Sequence, residues 1–243
     1  MRYFKADLHI HSCLSPCAEL DMGPRTIVAR SLAQGLDIIA VCDHNSAENA
    51  AAVIRLGTRR GLTVLAGLEI CSREEVHCLV VFASAAGALA MQENVYRNLV
   101  GMNRPDIFGE QVIANENDEV EGFNDRRLIG ATSLGLYDII RATHRLGGLC
   151  IASHVDRPQY SVLSQLGFLT PDMVFDGLEV AGILPLQEVR SMLPAGCRLP
   201  LLFFSDAHSP DDIGRQVTDF WLEKAVFAEI VMALSGSGGR RVG

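Results

Sequence analysis

Six of the seven histidines stand at the ends of short apolar runs: His9 and His11 in DLHIHS, His44 in VCDHNS, His77 in EVHCLV, His154 in IASHVDRP and His208 in FSDAHSPDD. The seventh, His144 in RATHRLGG, reads as an ordinary helix residue. GLEICS adds Glu69, and the last histidine segment adds Asp206. Imidazoles mixed with carboxylates suit Zn, Mn or Fe, and a carboxylate such as Glu69 can bridge two ions. Two or three ions so held would lower the pKa of a water and clamp an anionic transition state. A lone strand-edge histidine is more often a hydrogen-bonded structural residue than a ligand. An HxH pair, a DxH pair, three further histidines and a glutamate, all at strand edges, form a metal-binding pattern.

Something must bring these groups together. Apolar, β-branched runs predict seven strands, near Phe4–Ile10, Asp37–Cys42, Thr63–Ile70, Val76–Phe82, Gly148–Ser153, Gly177–Val180 and Pro200–Phe204. Helical spacing recurs between them, over Pro24–Gln34, Ala47–Arg60, Ala86–Leu99, Leu136–Leu146 and Pro185–Leu193, with stops at Gly35, Gly61 and Gly147. Such alternation predicts an α/β fold on a mainly parallel sheet, whose carboxyl edge gathers polar side chains. The link Cys71–Glu75 is too short for a parallel crossover, so the third and fourth strands form an antiparallel hairpin that brings Glu69 and His77 to one edge. His9 and His11, two apart on a strand, share a face, and the same count puts Asp7 on the face of His9. Asp43 sits next to His44, as a support behind the imidazoles or as a helix cap.

The 243 residues carry 21 Lys and Arg against 29 Asp and Glu, a net charge of -8, with 49% hydrophobic residues. That composition predicts one folded catalytic domain over residues 1–234 and a flexible tail over 235–243, with a polar loop insertion near 97–129 that could act as a lid. The acidic balance gives no footprint for an extended nucleic-acid surface, and no apolar run reaches the ~18 residues of a membrane span. With no apolar leader at the start, a cytoplasmic location is expected. Seven cysteines without CxxC pairs resemble no disulfide framework. Nor is there a GxGxxG after a strand, a GxxxxGK[ST], a GxSxG or an HExxH. Trp221 and four tyrosines offer no stacking platform for single strands.

DLHIHS, a CDHN, the strand-end Glu of GLEI, and the late SHVDRP and SDAH segments, in that order from Asp7 to about Asp212, resemble the PHP (polymerase and histidinol phosphatase) family. The resemblance implies a distorted seven-stranded β/α barrel related to the TIM barrel, two or three divalent ions, and metal-dependent hydrolysis of phosphate esters. It places His9, His11 and Asp206 on a first ion, with Glu69 bridging to a second held by His77 and His154. His44 and His208 would hold a third with a donor from SCLSPCAELD: Cys17, or else Glu19 or Asp21. In this reading a water activated between ions attacks phosphorus, Arg157 binds the phosphoryl oxygens, and a metal, Asp206 or a bound water assists the leaving alkoxide. Arg126, Arg127 and Arg215 are weaker oxyanion candidates. The implied substrate is a small phosphorylated molecule, a phosphomonoester or nucleotide. The alternatives are an amidohydrolase-like C–N hydrolase, for which no strand-end lysine is present to carry a bridging carbamate, and a non-catalytic metal module. The oligomeric state has no signature in the chain.

Overall fold

A computed structural model describes residues 1–243. Its elements run β1 (Arg2–Ile10), α1 (Pro24–Ala33), β2 (Ile38–His44), α2 (Ala50–Arg60), β3 (Thr63–Cys71), β4 (His77–Phe82) and α3 (Ala85–Tyr96). An insertion then contributes α4 (Pro105–Phe108), β5 (Val112–Ala114) and β6 (Val120–Phe123). The rest comprises α5 (Leu136–Arg145), β7 (Leu149–Ala152), α6 (Val162–Leu166), β8 (Gly177–Glu179), α7 (Leu186–Met192), β9 (Leu201–Leu202), β10 (Thr218–Leu222), α8 (Phe227–Leu234) and β11 (Arg241–Val242). The helix stops at Gly35, Gly61 and Gly147 are left-handed, at φ +68°, +78° and +73°.

All seven expected runs are strands, but the main sheet has nine, in the order β11-β10-β1-β2-β3-β4-β7-β8-β9. The two extra strands lie beyond the seven: β10 pairs antiparallel with the first half of β1, and β11 pairs with β10. The seven-strand arc curls until its ends meet. Beyond β9, Ala207 pairs in parallel with Ile10, through His11 N–H to Ala207 O (2.9 Å) and Ala207 N–H to His9 O (3.2 Å). This closure carries Asp206 and His208 to the end of β1, where His9 and His11 stand. Strand β4 runs antiparallel to both neighbours, so its first residue, His77, arrives at the edge that the other strands reach with their last.

The core explains which side chains face inward. Phe4, Ala6 and Leu8 of β1, Ile38, Ala40 and Cys42 of β2, Leu79 and Val81 of β4, and Leu149 and Ile151 of β7 form one buried cluster, capped at one end by Ile230 and Ala233 of α8. The alternate residues pack outward on the helices, as Ile39 and Val41 do beside Ile27 and Val28. His44, Glu69, His77, Glu179 and Asp206 keep the inward parity and stand one layer above this apolar plug. Strand β1 alone breaks count. Its pairing with β2 shifts register between Asp7 and Ile10, so Leu8 lies with the inner cluster while Ile10 lies with the outer one. A bulge of this kind re-aims the residues that follow it, and it turns His9 and His11 inward. Asp7, upstream of the shift, therefore does not share the face of His9. Its carboxylate accepts N–H groups of Ser205 and Gly214 (3.0 Å each) and fastens the segment that carries Asp206 and His208.

Residues 97–129 are a built unit, a short helix and a two-stranded sheet. Asn49 grips its edge as a peptide would, donating to Val112 O and accepting from Ala114 N, both at 3.0 Å. Asn45 donates to Leu128 O (2.6 Å) and Gly130 O (2.8 Å) at its stem. Gly and Ser composition suggested a loose C-terminal tail, whereas Arg241–Val242 joins the sheet and Arg240 pairs with Glu223 and Glu229 at 2.8 Å each.

Gly67 marks how tightly the barrel is filled beneath Glu69: a β-carbon there would collide with Cys42 Sγ and lie 2.6 Å from the carbonyl of Val80. Gly67→Ala should therefore lower stability by about 1–3 kcal/mol through overpacking. A denaturant titration with an unchanged midpoint would disprove that close fit.

Candidate metal centre

Glu69, only 1% exposed, is the hub of the inward layer. Its Oε1 lies 3.0 Å from His77 Nδ1 and 3.1 Å from His154 Nε2, and its Oε2 lies 3.2 Å from His44 Nδ1. The Nε2 atoms of His9 and His11 are 3.6 and 3.5 Å from the same carboxylate. Asp206 Oδ1 approaches those two nitrogens at 3.3 and 3.1 Å, and they face each other at 3.2 Å. His208 donates Nδ1–H to the Asp206 carbonyl (2.8 Å) and stacks on His11 with ring centroids 4.2 Å apart. Two backbone outliers aim these groups: His154 at φ +29° and Asp206 at φ +49°, a strained region for residues with a side chain.

Hydrogen-bond bookkeeping shows what converges here. Ser15 Oγ gives its one hydrogen to Asp43 Oδ1 (2.7 Å), so it accepts from His44 N–H (3.0 Å) and from Nδ1–H of His11 (2.9 Å). Nδ1–H of His9 donates to Glu179 Oε1 (2.8 Å), whose other oxygen accepts N–H of His154 (3.0 Å). Both Nε2 atoms are thus lone pairs, and they point at each other and at two carboxylates. That is a donor set for a cation. Burial draws His9 down, yet Glu179, Asp206 and Glu69 raise it well above an ordinary histidine, whereas burial and then the neighbouring His208 lower His11 to about 4. Burial would raise Glu69, but His77 and His9 hold it well below the usual carboxylate range; His9 and His11 do the same for buried Asp206.

Three sets of ligand atoms lie within 4.8 Å of one another. His9, His11, Glu69 and Asp206 form one, the grouping that the family resemblance implies for a first ion. The second joins Glu69 and His77 to His44 where His154 was expected, although His154 still contacts Glu69. The third joins His44 and His208 to His11 where Cys17 was expected. Cys17 lines the cleft above the cluster without joining a set, and Glu19 and Asp21 are exposed beside it. Cys17 is exposed as a residue, but partial enclosure of its thiol and then the Glu69 charge push that thiol up to about 12.

Arg157 lies in the cleft mouth with Nη2 2.7 Å from Asp206 Oδ2. The other arginines are engaged elsewhere: Arg126 lies over the Tyr96 ring, Arg127 packs against Gly101 and Gly130 in the stem of the insertion, and Arg215 pairs with Asp212. His144 is bonded to Asp176 on the far side of β7 (2.9 Å). Asp43 caps no helix; it accepts from Ser12 and Ser15 and supports His11 through the serine. Glu179 has no histidine beside it in sequence to mark it, although its strand reads GLEV against the GLEI of Glu69, a repeated strand-end signature. No helix is long and apolar enough to cross a membrane.

A family model described as the PHP domain matches residues 7–166. The uncharacterized protein YqxK of Bacillus subtilis (strain 168) is 30% identical over 102 residues, which are 40% of this chain and 26% of that protein. The fold is similar over 99% of the chain to the lesion-specific endonuclease PfuEndoQ from Pyrococcus furiosus, with TM-score 0.76, 23% identity and 57% of that chain covered. It is similar over 98% to endonuclease Q in complex with a 27-mer duplex substrate with an abasic lesion at the active site, with TM-score 0.71, 20% identity and 58% covered. A protein assigned as a metal-dependent phosphoesterase from Bifidobacterium adolescentis is similar over 84%, with TM-score 0.57, 21% identity and 87% covered. The chain spans well under two thirds of the length of YqxK and of endonuclease Q. The duplex complex overturns the expectation of a small phosphorylated partner with no extended nucleic-acid surface. Net charge is a sum over the chain, whereas at the cleft Glu69, Glu179 and Asp206 face imidazoles and Arg157.

Glu179 orients His9 from behind, so Glu179→Gln should weaken divalent-metal binding about 10- to 100-fold. Calorimetric titration of the metal-free protein with Zn or Mn checks this, and wild-type affinity in the variant would remove Glu179 from the centre.

Proposed function

Because the chain belongs to the PHP domain family, whose members share a metal-dependent hydrolase fold, we propose that it hydrolyses phosphodiester bonds within a nucleic-acid strand, with DNA at a lesion as the substrate class. The observation that carries this reading is the shape of the cleft at Arg157. The hollow over the metal centre, about 180 Å³, continues past His77, His154 and Arg157 into a second of about 290 Å³ bounded by Pro158, Gln159 and Ile183. A trough that runs on beyond the reacting groups suits a chain with substituents on both sides of the phosphate. The similarity to a fold that takes a duplex at its active site supports the same choice.

His9, His11, Glu69 and Asp206, with His44, His77, His154 and His208, would hold two or three divalent ions of the Zn, Mn or Fe type. Ions bound there supply Lewis-acid activation of water and neutralise charge at phosphorus. The chain supplies the rest. Arg157 offers a planar guanidinium to the nonbridging phosphoryl oxygens, and its pairing with Asp206 keeps it aimed at the centre. His9 and His11 hold Asp206 well below the usual carboxylate range despite its burial, which suits it to act as an acceptor and a ligand. Glu179, and Ser15 with Asp43, keep His9 and His11 in tautomers that turn Nε2 inward. Ile129 and Tyr160 line the cleft beside these groups.

Incubation of the protein with Mn or Zn and an end-labelled duplex bearing one abasic site should give metal-dependent scission, abolished by a chelator and by His9→Ala. Arg157→Ala should reduce the rate about 10²- to 10³-fold, the effect of removing one preorganised donor. Turnover of p-nitrophenyl phosphate or of an amide with every duplex left intact would overturn the nucleic-acid reading.

A further inference from the structure

The histidines of the centre are not held alike. His9 has Glu179 behind it, His11 has Ser15, and His208 has the Asp206 carbonyl. His77 turns Nδ1 to Glu69 and has no hydrogen-bonding group at its other nitrogen. What lies against its ring is Tyr160, stacked face to face with centroids 4.6 Å apart and planes 20° from parallel. The two residues are also joined through the backbone, His77 N–H donating to Tyr160 O at 2.8 Å. Tyr160 holds this place from a left-handed backbone, φ +59°, which a residue with a side chain adopts only where its surroundings impose it. The residue is nonetheless 42% exposed, and its hydroxyl bonds to no other group of the protein. Core packing therefore does not account for the strained turn.

We propose that Tyr160 is a positioning residue for the metal centre: its ring face fixes the plane of His77 so that this ligand meets Glu69 and His44 at one ion. The inference rests on the metal-centre reading above and adds to it a residue outside the expected ligand set. A flat aromatic contact does for His77 what a carboxylate does for His9, restricting rotation of an imidazole that would otherwise turn away from the ion. The same turn, from His154 to Tyr160, contains Arg157, whose N–H donates to His154 O (2.9 Å). The support for His77 and the cation for the phosphate are thus set by one piece of chain.

The test uses metal alone. Wild type, Tyr160→Phe, Tyr160→Ala and Tyr160→Gly, each stripped of metal, are titrated with Mn or Zn by calorimetry, and bound ions are counted by elemental analysis. Tyr160→Phe keeps the ring and should bind as wild type. Tyr160→Ala and Tyr160→Gly should bind one class of ion about tenfold more weakly and leave the other class unchanged. Glycine relaxes the left-handed backbone, so recovery of affinity in Tyr160→Gly but not in Tyr160→Ala would assign the effect to the turn and overturn the proposal. Wild-type affinity in both, or loss in Tyr160→Phe equal to that in Tyr160→Ala, would overturn it too. Failure of duplex cleavage by a protein that binds its ions normally is a separate result and bears only on the substrate.

Discussion

A carboxylate buried among apolar strands is tenable only if positive charge or hydrogen-bond donors surround it. Glu69 is that carboxylate, and five imidazoles point at it from the ends of three strands, β1, β2 and β4, and from the turn after β7. The inverted strand β4, the barrel closure through Ala207 and the left-handed turns at His154 and Asp206 all bring a nitrogen or a compensating acid to this one point. The apolar plug of Leu8, Cys42, Leu79 and Ile151 beneath it keeps water out from below. The charge must therefore be answered from above and from the sides.

The parts of this arrangement that follow from residue type and strand period are legible without coordinates. Alternation predicts seven strands, and the five-residue link after β3 predicts the hairpin that joins Glu69 to His77. Period two also predicts which residues of β2 and β4 face inward. It fails at β1, because a bulge is one residue of slippage with no signal in the pattern DLHIH, and so Asp7 changes faces. Glu179 is illegible for another reason. A carboxylate at a strand end can be a ligand, a support or a surface group, and only its distance to His9 decides. Strand β10, TDFWL, is five residues long and pairs on the far side of β1, where no histidine draws attention to it. The grouping of His44 with Glu69 and His77, and of His11 with His44 and His208, depends on ångström differences among rings crowded into one layer.

The electrostatics follow the same division between what adds up along a chain and what is local. Net charge counts Glu69, Glu179, Asp206 and Asp43 as four negative units. In place, three of them face imidazoles and the fourth faces two serines. The field at the mouth is then set by Arg157 and by whatever cations the layer holds, which lets an acidic protein accept an anion locally.

The inversion of β4 has a consequence in time as well as in space. Glu69 and His77 are eight residues apart, and closing so short a hairpin needs little loop entropy. His9 meets Glu179 across 170 residues, and His11 meets Asp206 across 195. Two groups of the centre, its hub among them, are thus written into a local hairpin, of a kind that forms in microseconds. The pairings of His9 and His11 exist only once nearly the whole chain has come full circle, so completion of the site doubles as a record that the barrel has closed.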